Sequence, residues 1–405
     1  TSSGADIVIT EIGGTVGDIE SAVMMESLRQ FRLETGMQNS LFVHTTLVPY
    51  LYGSNELKTK PTQNSIIELR RLGIQPDIIV TRAPLDLGDA VKKKISLFGS
   101  IPVENIIEAK DVANIYQIPI NFHKQHIEDI ILKQFGLKVT KSNLDTWENL
   151  IKTVENLDKE IEIALVGKYT ELEDAYLSVK EALKAAGYKY NTKVKIKWVN
   201  SEELECKTCN LKEVFKNSKG IIVPGGFGSR GIEGMIKAAE YARVNKVPYL
   251  GICLGMQIAV IEFARHVCGL PDASSREFDE LCPNPVIDLM ADQKAIINKG
   301  GTLRLGNYRC QITKGTLAYK DYKSDEILER HRHRYEFNNS YRDLMVSKGL
   351  TISGINPESN LVEIIELENH PHFIACQFHP EFKSRPTRPH PLFDSFVKAS
   401  IENKK

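Results

Sequence analysis

The sequence predicts an α/β protein of two domains, each a mainly parallel sheet flanked by helices. Three observations point there. The chain has 405 residues, enough for two domains at roughly 100–200 residues each. Short β-rich runs alternate with amphipathic runs of helical length, the pattern of parallel strands joined by crossover helices. The alternation stops in one polar stretch, residues 139–160, and then begins again.

In the first domain, residues 1–138, "DIVITEI" reads as a buried strand. "IESAVMMESLRQFRLETG" reads as a helix that Gly36 stops. "SLFVHTTLV" is a strand, "TQNSIIELRRLG" a helix, "PDIIVTRA" a strand and "DAVKKKISLFG" a helix. "ENIIEAKDV" and "ANIYQIP" continue the pattern. The run "TKSNLDTWENLIKTVENLDKE" lacks strand signals and reads as a helical linker. In the second domain, 161–405, "EIEIALVGKY" is a strand and "LEDAYLSVKEALKAAGY" a periodic helix. "KVKIKWV" and "GIIV" are strands, "IEGMIKAAEYARVNK" a helix and "PYLGICLG" a strand and turn. Residues 270–310 read as an elaborated loop. "FIACQFHPEF" is a strand entering a loop, and "PLFDSFVKASIE" a closing helix.

Lysine plus arginine equals aspartate plus glutamate, 52 each, so the formal net charge is zero. Nothing global recruits nucleic acid or an acidic membrane surface. No apolar run reaches the roughly 20 residues that span a bilayer, and no basic n-region marks a signal peptide. Seven cysteines without a framework suit reduced thiols in the cytoplasm.

The richest stretch is "GICLG", Gly251–Gly255, a nucleophile elbow with cysteine in place of serine. A strand that turns into a helix this tightly needs glycine on both sides. Cys253 then stands at a helix N-terminus, where the dipole favours thiolate, and the following Leu254 N–H faces a developing oxyanion. The bland alternative is a small buried thiol; the flanking glycines after an apolar strand argue against it. A thiolate needs a base and an orienter. His379 in "CQFHPEF" ends a parallel strand, and Glu381 follows two residues later. Parallel strands end on the same side of a sheet, so His379 and Glu381 fit those roles. The loop "PGGFGSRG" offers N–H groups near Gly226 for the oxyanion, unless it is a plain surface turn. The "ERHRHRYEFN" run is an anion grip through Arg334, a metal patch or a solvated strand edge. "CKTC" (206–209) has no second ligand pair for zinc and reads as a surface loop.

In the first domain, "EIGGTVGDIES" sets acids beside glycines after a strand, chemistry that suits Mg²⁺ with phosphates. Lys58 and Lys60 open a predicted helix, and Lys92, Lys93 and Lys94 form a basic triplet. These suit phosphate, although such a triplet is more often a solvated helix face. Composition alone names no substrate.

The elements PGGFG, GICLGMQ and HPEF in that order resemble the class I, or triad, glutamine amidotransferases. That resemblance implies glutamine hydrolysis through a thioester on Cys253, with Gly226, Leu254, Gly255, Met256, Gln257, Glu277 and Arg334 around the substrate. Together with "EIGGTVGDIES" and "ELKTKPTQ", the whole chain resembles the CTP synthase family. This implies a P-loop, dethiobiotin-synthetase-like amidoligase domain, incomplete here, before the glutaminase. ATP would phosphorylate the uracil 4-oxygen of UTP and ammonia displace the phosphate, with Mg²⁺ required. Carried over by position, Glu11 is a Mg²⁺ ligand. Asp18, Ile19, Glu20, Lys58, Thr59, Lys60, Pro61, Thr62, Gln63 and Lys94 bind UTP or the inhibitor CTP. Arg82, Lys110, Asp111 and Val112 contact ATP. The family also implies GTP activation through the GGFGSRG lid, a homotetramer and, in some members, filaments.

Two departures stand out. No G-x-x-x-x-G-K-[ST] occurs, so about the first quarter of a typical member is absent and the chain is expected to be a fragment. Asn64 replaces the histidine usual in "KPTQH". Residues 280–310 are also shorter than the family pattern. Two other functions stay open: an amidotransferase for another acceptor, and a nucleotide-sensing or filament-forming scaffold.

Overall fold

The computed structural model describes residues 4–289 and 304–403. They divide into two units, Thr1–Ile151 and Lys152–Lys405.

The N-terminal unit is built on three parallel strands. Ile78–Ala83 lies between Val43–Leu47 and Ile106–Lys110. The central strand, IIVTRA, is buried on both faces. Ile79 and Ala83 pack with Ile66, Ile95 and Ile106 on one side, and Ile78 and Val80 with Ile107 on the other. Each of these isoleucine and valine side chains contributes about 1.5–3 kcal/mol by leaving water. Helices Lys60–Arg71 and Gly88–Gly99 cover the sheet, and Ala22–Thr35 ends at Gly36, whose φ of 84° needs a glycine.

The stretch "DIVITEI" is not a strand. Ile7, Val8 and Ile9 are exposed, Ile9 at 92%. Alternating or continuous apolar residues make a strand only where a neighbour takes their N–H and C=O groups; none of the described residues pairs with this run. "ANIYQIP" also departs from expectation. It forms a 3₁₀ turn at Ile115–Gln117 and opens the helix Ile118–His123.

The second unit holds a nine-stranded sheet that is mixed rather than mainly parallel. Thr192–Asn200, Lys159–Gly167, Ser218–Val223, Tyr249–Ile252 and Phe373–Cys376 run parallel in that spatial order. Val362–Leu367, Leu350–Ile355, Arg304–Ile312 and Glu326–His333 extend the sheet antiparallel. Residues 270–289 are also more ordered than an elaborated loop. Ala273–Ser275, Asn284–Leu289 and Tyr335–Phe337 form a separate three-stranded sheet. Of the rest of that predicted loop, residues 304–310 belong to the strand Arg304–Ile312, and residues 290–303 lie outside the described residues.

Two helices support the site from one face of the large sheet. Leu254–His266 follows the cysteine, and Ile232–Asn245 follows the glycine loop. Glu262, fully buried, accepts three bonds of 2.7–3.0 Å from the Arg243 guanidinium and one of 3.1 Å from His266. Burial works against the charge of Arg243, and Glu262 reverses that, so the Arg243 pKa lies above its usual range. The pair locks the elbow helix to its neighbour. No helix among the described residues is long and apolar enough to cross a membrane.

Candidate active site

Three chain segments meet at Cys253. The first is the elbow. Cys253 has φ 54° and ψ −101°, a strained conformation for a residue with a side chain. Its N–H donates to Cys376 O at 2.7 Å, which holds the turn to the neighbouring strand. A Cβ on Gly255 would stand 2.0 Å from Val223 O, and one on Gly251 would stand 2.6 Å from Gly255 O. Both glycines are therefore steric requirements of the turn. Tyr249, fully buried and stacked on Phe373 at 4.4 Å, donates its hydroxyl to Gly255 O and clamps the bend from below.

The second segment is the end of Phe373–Cys376. The parallel register sets Ala375 beside Gly251 and Cys376 beside Ile252, so Gln377 comes next to Cys253. His379 follows, and its Nδ1–H donates to Glu381 Oε1 at 2.7 Å. Gly225 shows how close the ring lies to the thiol. A Cβ there would meet His379 Cε1 at 2.9 Å and Cys253 Cβ at 3.6 Å. Burial alone would lower the His379 pKa; the Cys253 sulfur and the Glu381 carboxylate outweigh it and hold the imidazole at about 10.

That raised value has a measurable sign. The protonated ring is favoured by the fold, so its stabilisation is complete below the ordinary imidazole range and is lost as pH rises through about 10. The alkaline limb of any reaction that uses this ring as an acid is expected there. Glu381→Gln removes one opposing charge and should move the limb toward neutrality by about one pH unit or more. A limb that stays in place would show that the Glu381 carboxylate does not hold the charge on this ring.

The third segment is the glycine loop. Lys168 Nζ donates to Phe227 O at 3.0 Å and also to Gly228 O; Gly228 N donates to Glu277 Oε1 at 2.9 Å. Burial pulls the Lys168 pKa down to about 8, against the attraction of Glu277. Arg230 ties the loop's far end, with bonds of 3.0 Å to Lys168 O and 2.9 Å to Glu202.

These segments enclose a cleft of about 190 Å³. Gly226 and Phe227 form one wall, and Cys253, Leu254 and Gln257 the floor. Glu277, His333, Arg334 and Tyr335 complete it. The small three-stranded sheet explains the last group. Glu277 lies two residues beyond one strand, and Arg334 directly precedes another. Gly255 and Met256 are buried in the elbow helix behind the floor. The "ERHRHRYEFN" run alternates as a strand should. His331 and His333 point inward while Arg330 and Arg332 are exposed. Burial, reinforced by Arg304 and His379, pushes the His333 pKa well below the imidazole range. Cys206 of "CKTC" is exposed at the end of a short helix, outside any disulfide and hydrogen-bonded to the Thr208 hydroxyl at 3.0 Å.

In the N-terminal unit the predicted residues fall into four places. Glu11, Asp18, Ile19 and Glu20 lie on an exposed stretch; Asp18 accepts from Thr15 N at 2.8 Å. Lys58 pairs with Glu56, and Lys60 and Pro61 are exposed at the start of Lys60–Arg71. Thr62 and Gln63 turn inward: Thr62 donates to Leu47 O at 2.9 Å and Gln63 to Thr59 at 2.9 Å. Asn64 is exposed on that helix, and Lys94 on Gly88–Gly99. Arg82 and Asp111 sit at the C-terminal ends of adjacent strands and pair at 2.9 Å. Lys110 pairs with Asp86 at 2.7 Å beside a more open cleft of about 350 Å³ that Lys92 and Glu108 also line; Val112 is half-buried nearby in the chain. Among the described residues no group of three or more histidine, cysteine or acidic side chains is arranged to hold a metal. Glu11 alone falls short of a Mg²⁺ site, which takes more than one oxygen donor.

Residues 1–137 match the family described as CTP synthase N-terminus, and 171–399 the family described as glutamine amidotransferase class-I. The CTP synthase of Caldanaerobacter subterraneus is 56% identical over 399 residues, covering 98% of this chain and 74% of that protein. The chain belongs to the CTP synthase family. The CTP synthase of Bacillus subtilis is 52% identical over 398 residues, 98% of this chain and 74% of its own. Among solved structures, the Trypanosoma brucei CTPS glutaminase domain with bound acivicin superposes with a TM-score of 0.57. It is 38% identical and covers 60% of this chain and 95% of that one. Glutamine-dependent amination of UTP to CTP, a ligase reaction of pyrimidine biosynthesis, is the activity of the CTP synthase family to which the chain belongs.

Sequence reasoning missed Lys168, His333 and Gln377. Lys168 directly follows the strand Lys159–Gly167 in "VGKY", beside the loop it tethers. His333 was visible only as part of a basic run. Gln377 becomes legible once "FIAC" is registered against "YLGI".

Proposed function

We propose that Cys253, His379 and Glu381 are the glutaminase triad that feeds ammonia to UTP. The observation that carries this reading is the strained Cys253 against the His379–Glu381 pair, under a cleft bounded by Glu277 and Arg334. The Cys253 thiolate attacks the side-chain carbonyl carbon of glutamine. The carbonyl π electrons move to oxygen, where the N–H groups of Gly226 and Leu254 face the charge. Collapse breaks the C–N bond, and the His379 imidazolium gives its proton to the departing amine, which leaves as ammonia. A thioester remains. His379, now neutral, takes a proton from water as it attacks; collapse expels the thiolate and releases glutamate. Arg334 suits the α-carboxylate through two parallel bonds, and Glu277 suits the α-ammonium.

For the acceptor half, Lys58 and Lys60 at a helix start suit the UTP and CTP triphosphates, with Asp18, Ile19, Glu20 and Lys94 in the same set. Arg82, Lys110, Asp111 and Val112 cluster at strand ends, the edge where α/β sheets bind ligands, and are assigned to ATP. Mg²⁺ bound with the nucleotide phosphates would supply charge neutralisation. The tethered Gly225–Gly231 loop is the proposed lid for GTP, and the homotetramer belongs to the same proposal.

Ligand stabilisation tests the acceptor. UTP and CTP are expected to raise the melting temperature by several degrees near saturation. Lys58→Ala with Lys60→Ala should abolish that rise while leaving glutamine hydrolysis intact. Indifference of the parent protein to both nucleotides would point to another acceptor.

A further inference from the structure

Gln377 is fully buried at the one backbone position that the parallel register sets beside the nucleophile. Its backbone N–H is spent on Glu363 O at 2.9 Å, which fixes the residue to the neighbouring strand. Its side chain does something else. The Nε2 group donates to Cys253 Sγ at 3.7 Å, and the Oε1 atom accepts from Gln257 Nε2 at 3.3 Å. Gln257 Nε2 also donates to Tyr335 O at 3.1 Å.

The orientation of both amides follows from this chain. A backbone carbonyl only accepts, so Tyr335 O demands the nitrogen of Gln257. That nitrogen then faces the Gln377 amide and demands its oxygen. The Gln377 nitrogen is left pointing at the sulfur, and no flip satisfies all three contacts. The relay runs from the wall that carries Arg334 and Tyr335, through Gln257, to the nucleophile. Gln257 itself lines the cleft.

We infer that Gln377 is a further catalytic residue of the glutaminase, a fixed amide donor that stabilises and aims the Cys253 thiolate. Sulfur is a weak acceptor as a thiol and a much better one as a thiolate, so the bond is stronger in the reactive state. His379 must surrender its proton to the leaving amine. Gln377 cannot, so its bond supports the thiolate before attack and again when deacylation expels it. Gln377 is itself fully buried, so an apolar side chain in its place leaves no room for water to supply the missing donor.

This rests on Cys253 being the nucleophile, and the experiment separates the two. Alkylation by iodoacetamide is followed at Cys253 by peptide mass across pH, alongside glutamine hydrolysis, in the parent and in Gln377→Leu and Gln377→Glu. Loss of a charge-assisted donor is expected to lower kcat/KM about ten- to a hundredfold. The midpoint of the alkylation profile should move to higher pH, further for the acceptor-only glutamate than for leucine. A role confined to packing would lower stability without moving that midpoint. Should Gln377→Leu not fold, Gln377→Glu keeps the shape and carries the test. An unmoved midpoint in the folded variants overturns the inference. Alkylation of Cys253 in the parent that leaves glutamine hydrolysis intact would instead overturn the nucleophile itself.

Discussion

Cys253→Ala is expected to abolish glutamine hydrolysis, by about 10⁴-fold or more, because a triad loses nearly all its covalent chemistry with its nucleophile. The acceptor reaction should respond differently. Free ammonia needs no thioester, so ammonia-dependent CTP formation should persist in the intact enzyme. Alanine keeps the backbone at φ 54° and removes one sulfur atom, so the elbow and the cleft stay formed. Steady-state rates with glutamine and with ammonium salts at equal free ammonia make the comparison. Equal loss of both activities would show that Cys253 supports the fold or the acceptor site instead of the thioester.

Gly255→Ala should be the more damaging change for the fold. The new methyl would lie 2.0 Å from Val223 O and 3.0 Å from Val223 C, both backbone atoms of a central strand. A flexible side chain could swing away, but a strand hydrogen-bonded on both sides cannot. Overpacking of this kind costs typically 1–3 kcal/mol where side chains give way, and more where they cannot; about 3 kcal/mol or more is expected here. The helix Leu254–His266 would be displaced with it, carrying Leu254 N–H and Cys253 out of line. Urea unfolding of the glutaminase unit measures this. A loss under about 1 kcal/mol would mean that the turn yields, and that glycine is there for another reason.

The two variants share one physical origin. A strand–helix turn this tight forces strain on the residue at its apex, and the surrounding contacts hold that strain in place. Tyr249 beneath the bend, Cys376 O on the Cys253 N–H and the Arg243–Glu262 lock behind the helix are such contacts. Cys253 is thereby presented to the cleft with little freedom to relax.

Much of this was legible in the sequence, for reasons specific to the residues. Gly251 and Gly255 around Cys253 state a steric demand that only one kind of turn makes. The strand and helix periods of residues 159–266 are strong because each element buries one or both faces in a local crossover pattern. The HPE triplet reads as base and orienter because the two side chains are only two residues apart. Where contacts are distant in sequence, legibility fell. The apolar run at 6–12 carries a strand's composition, yet a strand exists only with a partner. The antiparallel half, 304–367, was passed over because its alternation includes many charged residues, and pairing across hairpins gives them their burial.

By itself, the sequence determined the glycine-flanked elbow, the closeness of His379 to Glu381 and the order of the two units, since each rests on steric or chemical demands between near neighbours. Only the tertiary structure decided which side chains surround the sulfur. Glu277 and Arg334 reach the cleft through a small sheet assembled from three distant segments, and Gln377 reaches Cys253 through the register of two parallel strands. Register is set by the packing of whole sheets, and no local pattern carries that information.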